Sequence, residues 1–262
     1  MYSITFGEMN TWDDWHLVPS SRPVFNPPAL KKKTLEIPGA SGYLDLTETP
    51  AGYPIFENRQ GSIEFYVMND SDDADHCGAR KNYGLWYDRY SKIMAYLHGQ
   101  RMEAILDDDL SYYYIGRFTV NEWKSEKDFS KIVIDYDVEP FKWARWTSTE
   151  SWLWDPFNFI TDSIPDETEF KNIAVTSDSW TTKRYTSDDF GSAPICPTII
   201  TNKDLYLRFS NRDLSINVSM LTVKSGKTYL PRCVLYGGLT TFDLKAKSGT
   251  AKVSIDFREG QL

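Results

Sequence analysis

Apolar residues recur at every second position along most of this chain, in short runs separated by turn residues. That period belongs to a β-strand with one buried face, and it excludes a helical bundle. "RMEAIL" places Met102, Ala104 and Leu106 on one face, and "YYYIGRFTV" does the same with Tyr112, Tyr114, Phe118 and Val120. "KIVIDYDVEPFKW" alternates as far as Pro140. Leu35 and Ile37 face Leu44 and Leu46 around the Pro-Gly turn of "TLEIPGASGYLDLTE", which reads as a hairpin. In "NRQGSIEFYVM" the first four residues read as a turn, with Ile63, Phe65 and Val67 on one strand face after it. "VPSSRPVFNPPALKKK" has four prolines and is expected to be an extended or edge segment rather than a central strand or helix.

One segment breaks the period. In "YGLWYDRYSKIMAYLHG", Trp86, Tyr90, Ile93 and Leu97 fall at helical spacing, and Met94 joins their stripe. Asn82 suits the cap and Gly99 the stop, so a helix is expected over about 83–98. A chain of 262 residues is long for one core, so two domains are expected. Composition shifts after Pro140, where "FKWARWTSTESWLWDPFNFITDSIPDE" crowds large rings at irregular spacing, as a packed linker would. Beyond it come only short strands: "KNIAV", "PTIITN", "LYLRFSN", "SINVSML", "TYLPRCVLYGG", "LTTFDLKA" and "AKVSIDF". Their turn signals have the spacing of a β-sandwich. The fold class expected is therefore mainly β. Residues 1–142 form a β-sandwich or split-barrel domain with one packed helix, and 143–262 form a second, all-strand sandwich.

Charge is split between the halves. Residues 1–140 hold 14 Lys+Arg against 23 Asp+Glu, a balance of −9, while 141–262 stand at +1. Tight DNA binding needs clustered cations and is not expected. Cys77, Cys196 and Cys233 are odd in number and widely spaced, which fits a reducing folding compartment rather than a disulfide framework. The opening residues show no basic and apolar leader, and no run is apolar enough to span a bilayer, so neither a signal peptide nor a membrane partner is expected.

The chemical candidates are few. Asp107-Asp108-Asp109 offers carboxylates that suit a hard cation. It lacks the glycine and closing glutamate of an EF-hand, and Asp and Ser at this place favour a hairpin turn. "DDADHCG" puts His76 beside Cys77, but neighbours in sequence do not converge on one metal. His16 and His98 read as structural. No nucleophile elbow, zinc-helix or phosphate-loop motif is present, so no catalytic, cofactor-binding or metal residue is assigned and no cofactor is expected. Trp143, Trp146, Trp152, Trp154 and Trp180 are candidate carbohydrate contacts, because an indole face stacks on the C–H surface of a sugar ring. Packing at the domain junction accounts for the same residues and is favoured.

A series of motifs in order, "TWDDWHLVPSSRPVFNPP", "IPGASGYLDLTE", "YPIFENRQGSIEF", "LHGQRMEAILDDDLSYYYIGRF", "WLWDPFNF" and "VSIDFREGQL", resembles the distal tail (Dit) proteins of long-tailed, siphovirus-type phages and prophages of Gram-positive bacteria. The resemblance implies a baseplate hub at the virion tail tip, made in the host cytoplasm. Its subunits form a homohexameric ring between the tail tube protein and the tail-tip protein that carries wall-degrading functions. A receptor-binding protein is a further candidate partner. The resemblance also implies a ring-forming N-terminal domain, a galectin-like C-terminal domain and no enzymatic activity. The rival reading is a carbohydrate-binding adhesion module that touches the host cell wall through the tryptophans.

Overall fold

The computed structural model describes residues 2–67, 82–125, 130–150, 170–186 and 192–262, with the backbone alone at 82–87 and 123–125. The chain divides into two compact units, residues 1–48 with 54–142 and residues 49–53 with 143–262.

The first unit carries β1 (Ile4–Phe6), β2 (Met9–Asn10), β3 (Leu17–Pro19), β4 (Thr34–Glu36), β5 (Tyr43–Asp45), β6 (Arg59–Val67), α1 (Asn82–Leu97), β7 (Gln100–Leu106), β8 (Tyr112–Ser125) and β9 (Ser130–Val138). Antiparallel pairing gives the order β2-β1-β7-β8-β9-β6-β3. The inward positions are those that the alternation marks: Ile4, Phe6, Ile63, Phe65, Ala104, Leu106, Phe118, Val120, Ile132 and Ile134 are all buried. α1 lays Ile93 and Leu97 onto this face, with Tyr90 and Met94 beside them, and so closes the core. The helix stops where Gly99 takes the left-handed conformation (φ 72°) that a side chain disfavours. One sheet around one core, sealed by one helix, is the split-barrel form of the expected first domain.

One local expectation changes. "NRQG" is no turn: Arg59, Gln60 and Gly61 are paired residues of β6, opposite Val138, Asp137 and Tyr136. Gly61 is there for close approach, since a Cβ would collide with the Tyr136 hydroxyl. The proline-rich segment runs along β6 as expected. Ser20 N–H donates to the Glu64 carbonyl (2.9 Å), and the Asn26 amide donates to the Gln60 carbonyl (2.9 Å), so that edge is covered without a full strand.

The expected hairpin at 34–45 forms, with Leu35 opposite Leu44 and Glu36 opposite Tyr43. Its base is fixed by the Leu30–Phe56 bridge and by Lys31 N–H to the Ile55 carbonyl (2.8 Å). Every residue from 31 to 45 is exposed, although the stretch includes Leu35, Ile37, Tyr43 and Leu44. It is an arm with apolar side chains and no core of its own.

β10 (Lys142–Ala144) starts on the last residue of the first unit, and the second unit carries its remainder with β11 (Ile173–Thr176), β12 (Thr181–Thr186), β13 (Thr198–Thr201), β14 (Leu205–Asn211), β15 (Ile216–Val223), β16 (Gly226–Tyr229), β17 (Leu239–Ala246), β18 (Thr250–Asp256) and β19 (Gly260–Gln261). Two four-stranded sheets, β11-β18-β13-β16 and β12-β17-β14-β15, pack face to face. Between them lie Val175, Ile199, Leu207, Phe209, Phe242, Leu244, Val253 and Ile255, all fully or almost fully buried. "TYLPRCVLYGG" makes a shorter strand than expected. Pro231 has no N–H to donate, β16 ends at Tyr229, and the chain next pairs at Ile195–Leu235, an isolated bridge outside the named strands. β12, "TTKRYT", went unforeseen because its inward residues, Thr181, Lys183 and Tyr185, give no apolar alternation. Residues 49–53 belong to this unit: Tyr53 packs its ring on Tyr236 (centroids 4.8 Å apart), and Gly52 lies against Leu214.

Candidate functional site

The acidic run is a turn in which each carboxylate has a separate structural partner. Asp107, Asp108 and Asp109 connect β7 to β8, with Asp109 N–H donating to the Leu106 carbonyl (3.0 Å). Ser3 Oγ donates to Asp107 (2.6 Å). Arg22 directs both Nε and Nη2 at Asp108 (2.6 Å each), and this partner holds the Arg22 guanidinium above its usual pKa. Lys142 donates to Asp109 (2.6 Å) and lies 4.4 Å from the Tyr112 ring centroid. Three carboxylates that point to three different donors do not converge on a cation. Among the described residues no group of three or more His, Cys, Asp or Glu is placed to hold a metal ion.

The tyrosines after the turn diverge as well. Tyr112 lies under Lys142, while Tyr114 points into the core beneath Arg59. Burial raises the Tyr114 phenol, and the Arg59 charge partly offsets this. His16 takes a left-handed backbone (φ 52°) with its ring against Trp12. His76 and Cys77 lie outside the described residues. Cys233 is buried, which pushes its thiol up to about 12, so it is an inert protonated core residue.

Three of the five candidate tryptophans, Trp143, Trp146 and Trp180, lie among the described residues, each in different surroundings. Trp143 sits in β10, where Gly260 of β19 makes room for its ring: a Cβ there would come within 2.9 Å of Cζ3. This is packing, and the glycine is its signature. Trp146 is half-buried in the segment after β10. Trp152 and Trp154 lie outside the described residues. Trp180 differs. It directly precedes β12, on the outer face of its sheet, and the Arg208 guanidinium lies 4.0 Å from its ring centroid. Periodicity did not mark Arg208 as Trp180's partner, because β12 and β14 meet only through β17.

No family model and no curated protein sequence matches the chain. Among solved structures, one covers 100% of both chains at a TM-score of 0.60 and 15% sequence identity. It is the crystal structure of the phage SPP1 Dit (gp 19.1) protein, described as a paradigm of the hub adsorption apparatus in phages that infect Gram-positive bacteria. The chain has the Dit fold. At this identity the likeness is one of architecture, and it extends over both units. The family to which the ordered sequence motifs point and the fold that the chain adopts therefore agree.

Proposed function

We propose that this protein is a structural hub subunit of a phage tail tip, assembled as a six-fold ring between the tail tube and the tail-tip or receptor-binding machinery. In this reading residues 1–142 build the ring, and 143–262 form an outward-facing, galectin-like sandwich. The tail tube protein, the tail-associated lysin protein and a receptor-binding protein are the partners, and no catalytic role is assigned. The observation that carries the reading is the Dit fold over the full chain, since the SPP1 protein with that fold is described as a hub.

The arm at 31–45 supports self-assembly. A two-stranded hairpin in water is marginal alone, and this one presents four large apolar side chains to solvent. A neighbouring copy that offers a sheet edge or an apolar groove would bury them. Light scattering coupled to gel filtration tests the proposal. A species of about six times the 30.3 kDa chain is expected, forming as concentration rises. A monomer at every concentration would count against a ring built by this chain alone.

A further inference from the structure

The outer face of the β12-β17-β14-β15 sheet carries three cations and one acid on adjacent strands. Arg184 stands opposite Thr241, Thr182 opposite Asp243, Arg208 opposite Asp243, and Tyr206 opposite Lys245. Among the described residues the side chains of Arg184, Arg208 and Lys245 make no hydrogen bond or ion pair. Arg208 is held instead by its stack on Trp180, which fixes the guanidinium while leaving its N–H donors free. Asp243 accepts from Thr182 Oγ1 (2.6 Å) and keeps further acceptor capacity. At the rim Lys247 lies 5.3 Å from the Tyr206 ring centroid and 3.7 Å from Asp204.

We propose that this face binds an acidic saccharide, at a site formed by Trp180, Arg208, Asp243, Thr182 and Lys245. Arg208 and Lys245 would take the anionic substituent, Arg208 through paired N–H groups. Asp243 and the lone pairs of Thr182 Oγ1, whose own O–H is given to Asp243, would accept from ring hydroxyls, and the indole edge would meet the C–H surface of the sugar. The carboxylate in the middle of the patch selects the ligand class. It repels a polymer with a phosphate at every step, whereas a vicinal diol donates to it. The partners sit on registered strands, so the site is preorganised. The inference is independent of any role in a tail.

The test uses the full chain, with Trp fluorescence and calorimetry at low and high salt, and four probes: oligogalacturonate, a phosphomannan oligosaccharide, cellohexaose and single-stranded DNA. Binding of at least one acidic saccharide is expected, weakened by salt. Which one binds separates carboxylate from phosphate as the anion. Trp180→Ala and Arg208→Ala should each weaken binding about tenfold, with an unchanged urea midpoint because both side chains lie on the surface. Four results would overturn the proposal. They are failure of both acidic saccharides, equal affinity for cellohexaose, equal affinity for the DNA, or variants that bind like the parent.

Discussion

Arg59 is 5% exposed and, among the described residues, has no carboxylate beside it. Its Nε donates to the Pro140 carbonyl (2.8 Å), its Nη1 to the Asn26 carbonyl (3.2 Å), and its Nη2 is buried without a partner. Burial lowers its pKa, opposed by Tyr114 and Tyr136. A buried cation without a counter-charge is costly, so its retention needs a compensating role. That role is visible in the bonds: one side chain ties the start of β6 to the residue that follows β9 by two and to the proline-rich edge segment. Arg59→Ala frees two carbonyls and leaves a cavity. It should destabilise the protein by about 2–4 kcal/mol, and Arg59→Met should do so by less because the aliphatic stem still packs. Urea unfolding measures both. A change in the alanine variant within about 0.5 kcal/mol, the range of ordinary surface substitutions, would show that the tie carries no weight.

At the scale of elements, the arm and β6 illustrate opposite relations between pattern and burial. β6 alternates and buries its apolar face, as do β7, β8 and β9. The arm alternates equally well and buries nothing within its own unit. Replacing Leu35, Ile37, Tyr43 and Leu44 together by serine should therefore leave the urea midpoint of the monomer almost unchanged, within about 0.5 kcal/mol per site. The same variant should fail to form the high-mass species. Intact assemblies from it would place the subunit contact elsewhere, and a large loss of monomer stability would show that the arm packs on its own unit. The helix needed no such support to be legible. Ile93 and Leu97 lie where their spacing places them, and the observed Asn82–Leu97 is within one residue of the expected span.

Over the whole molecule, two cores are built from separate sets of residues, one around Phe65 and Phe118, the other around Phe209 and Phe242. All four rings are almost or fully buried. Removing one should cost about 3–5 kcal/mol in the unit that loses it. Scanning calorimetry is expected to resolve two transitions, with Phe65→Ala lowering one and Phe242→Ala the other. Both variants shifting both transitions equally would mean that the units unfold as one block. Tyr53 belongs to the second group despite its place in the first half of the sequence, so a fragment starting at residue 143 would lack part of its own unit.

Period and punctuation determined the strand-rich class, the helix at 82–97, the change of character near Pro140 and the hairpin nature of the acidic run. These follow from which side chains share a face, and a chain states that locally. Tertiary structure decided everything that depends on a partner distant in sequence. Asp107, Asp108 and Asp109 are separated by donors from residues 3, 22 and 142. Gly61 is a strand residue because a tyrosine 75 positions later needs its space. Residues 49–53 belong to the second unit, where the Tyr53 ring packs on Tyr236 and Gly52 lies against Leu214. Trp180 stands apart from Trp143 and Trp146 because β17 brings Arg208 and Asp243 beside it. Local alternation is set by backbone geometry, whereas the company a side chain keeps is set by strand order, which no single segment encodes.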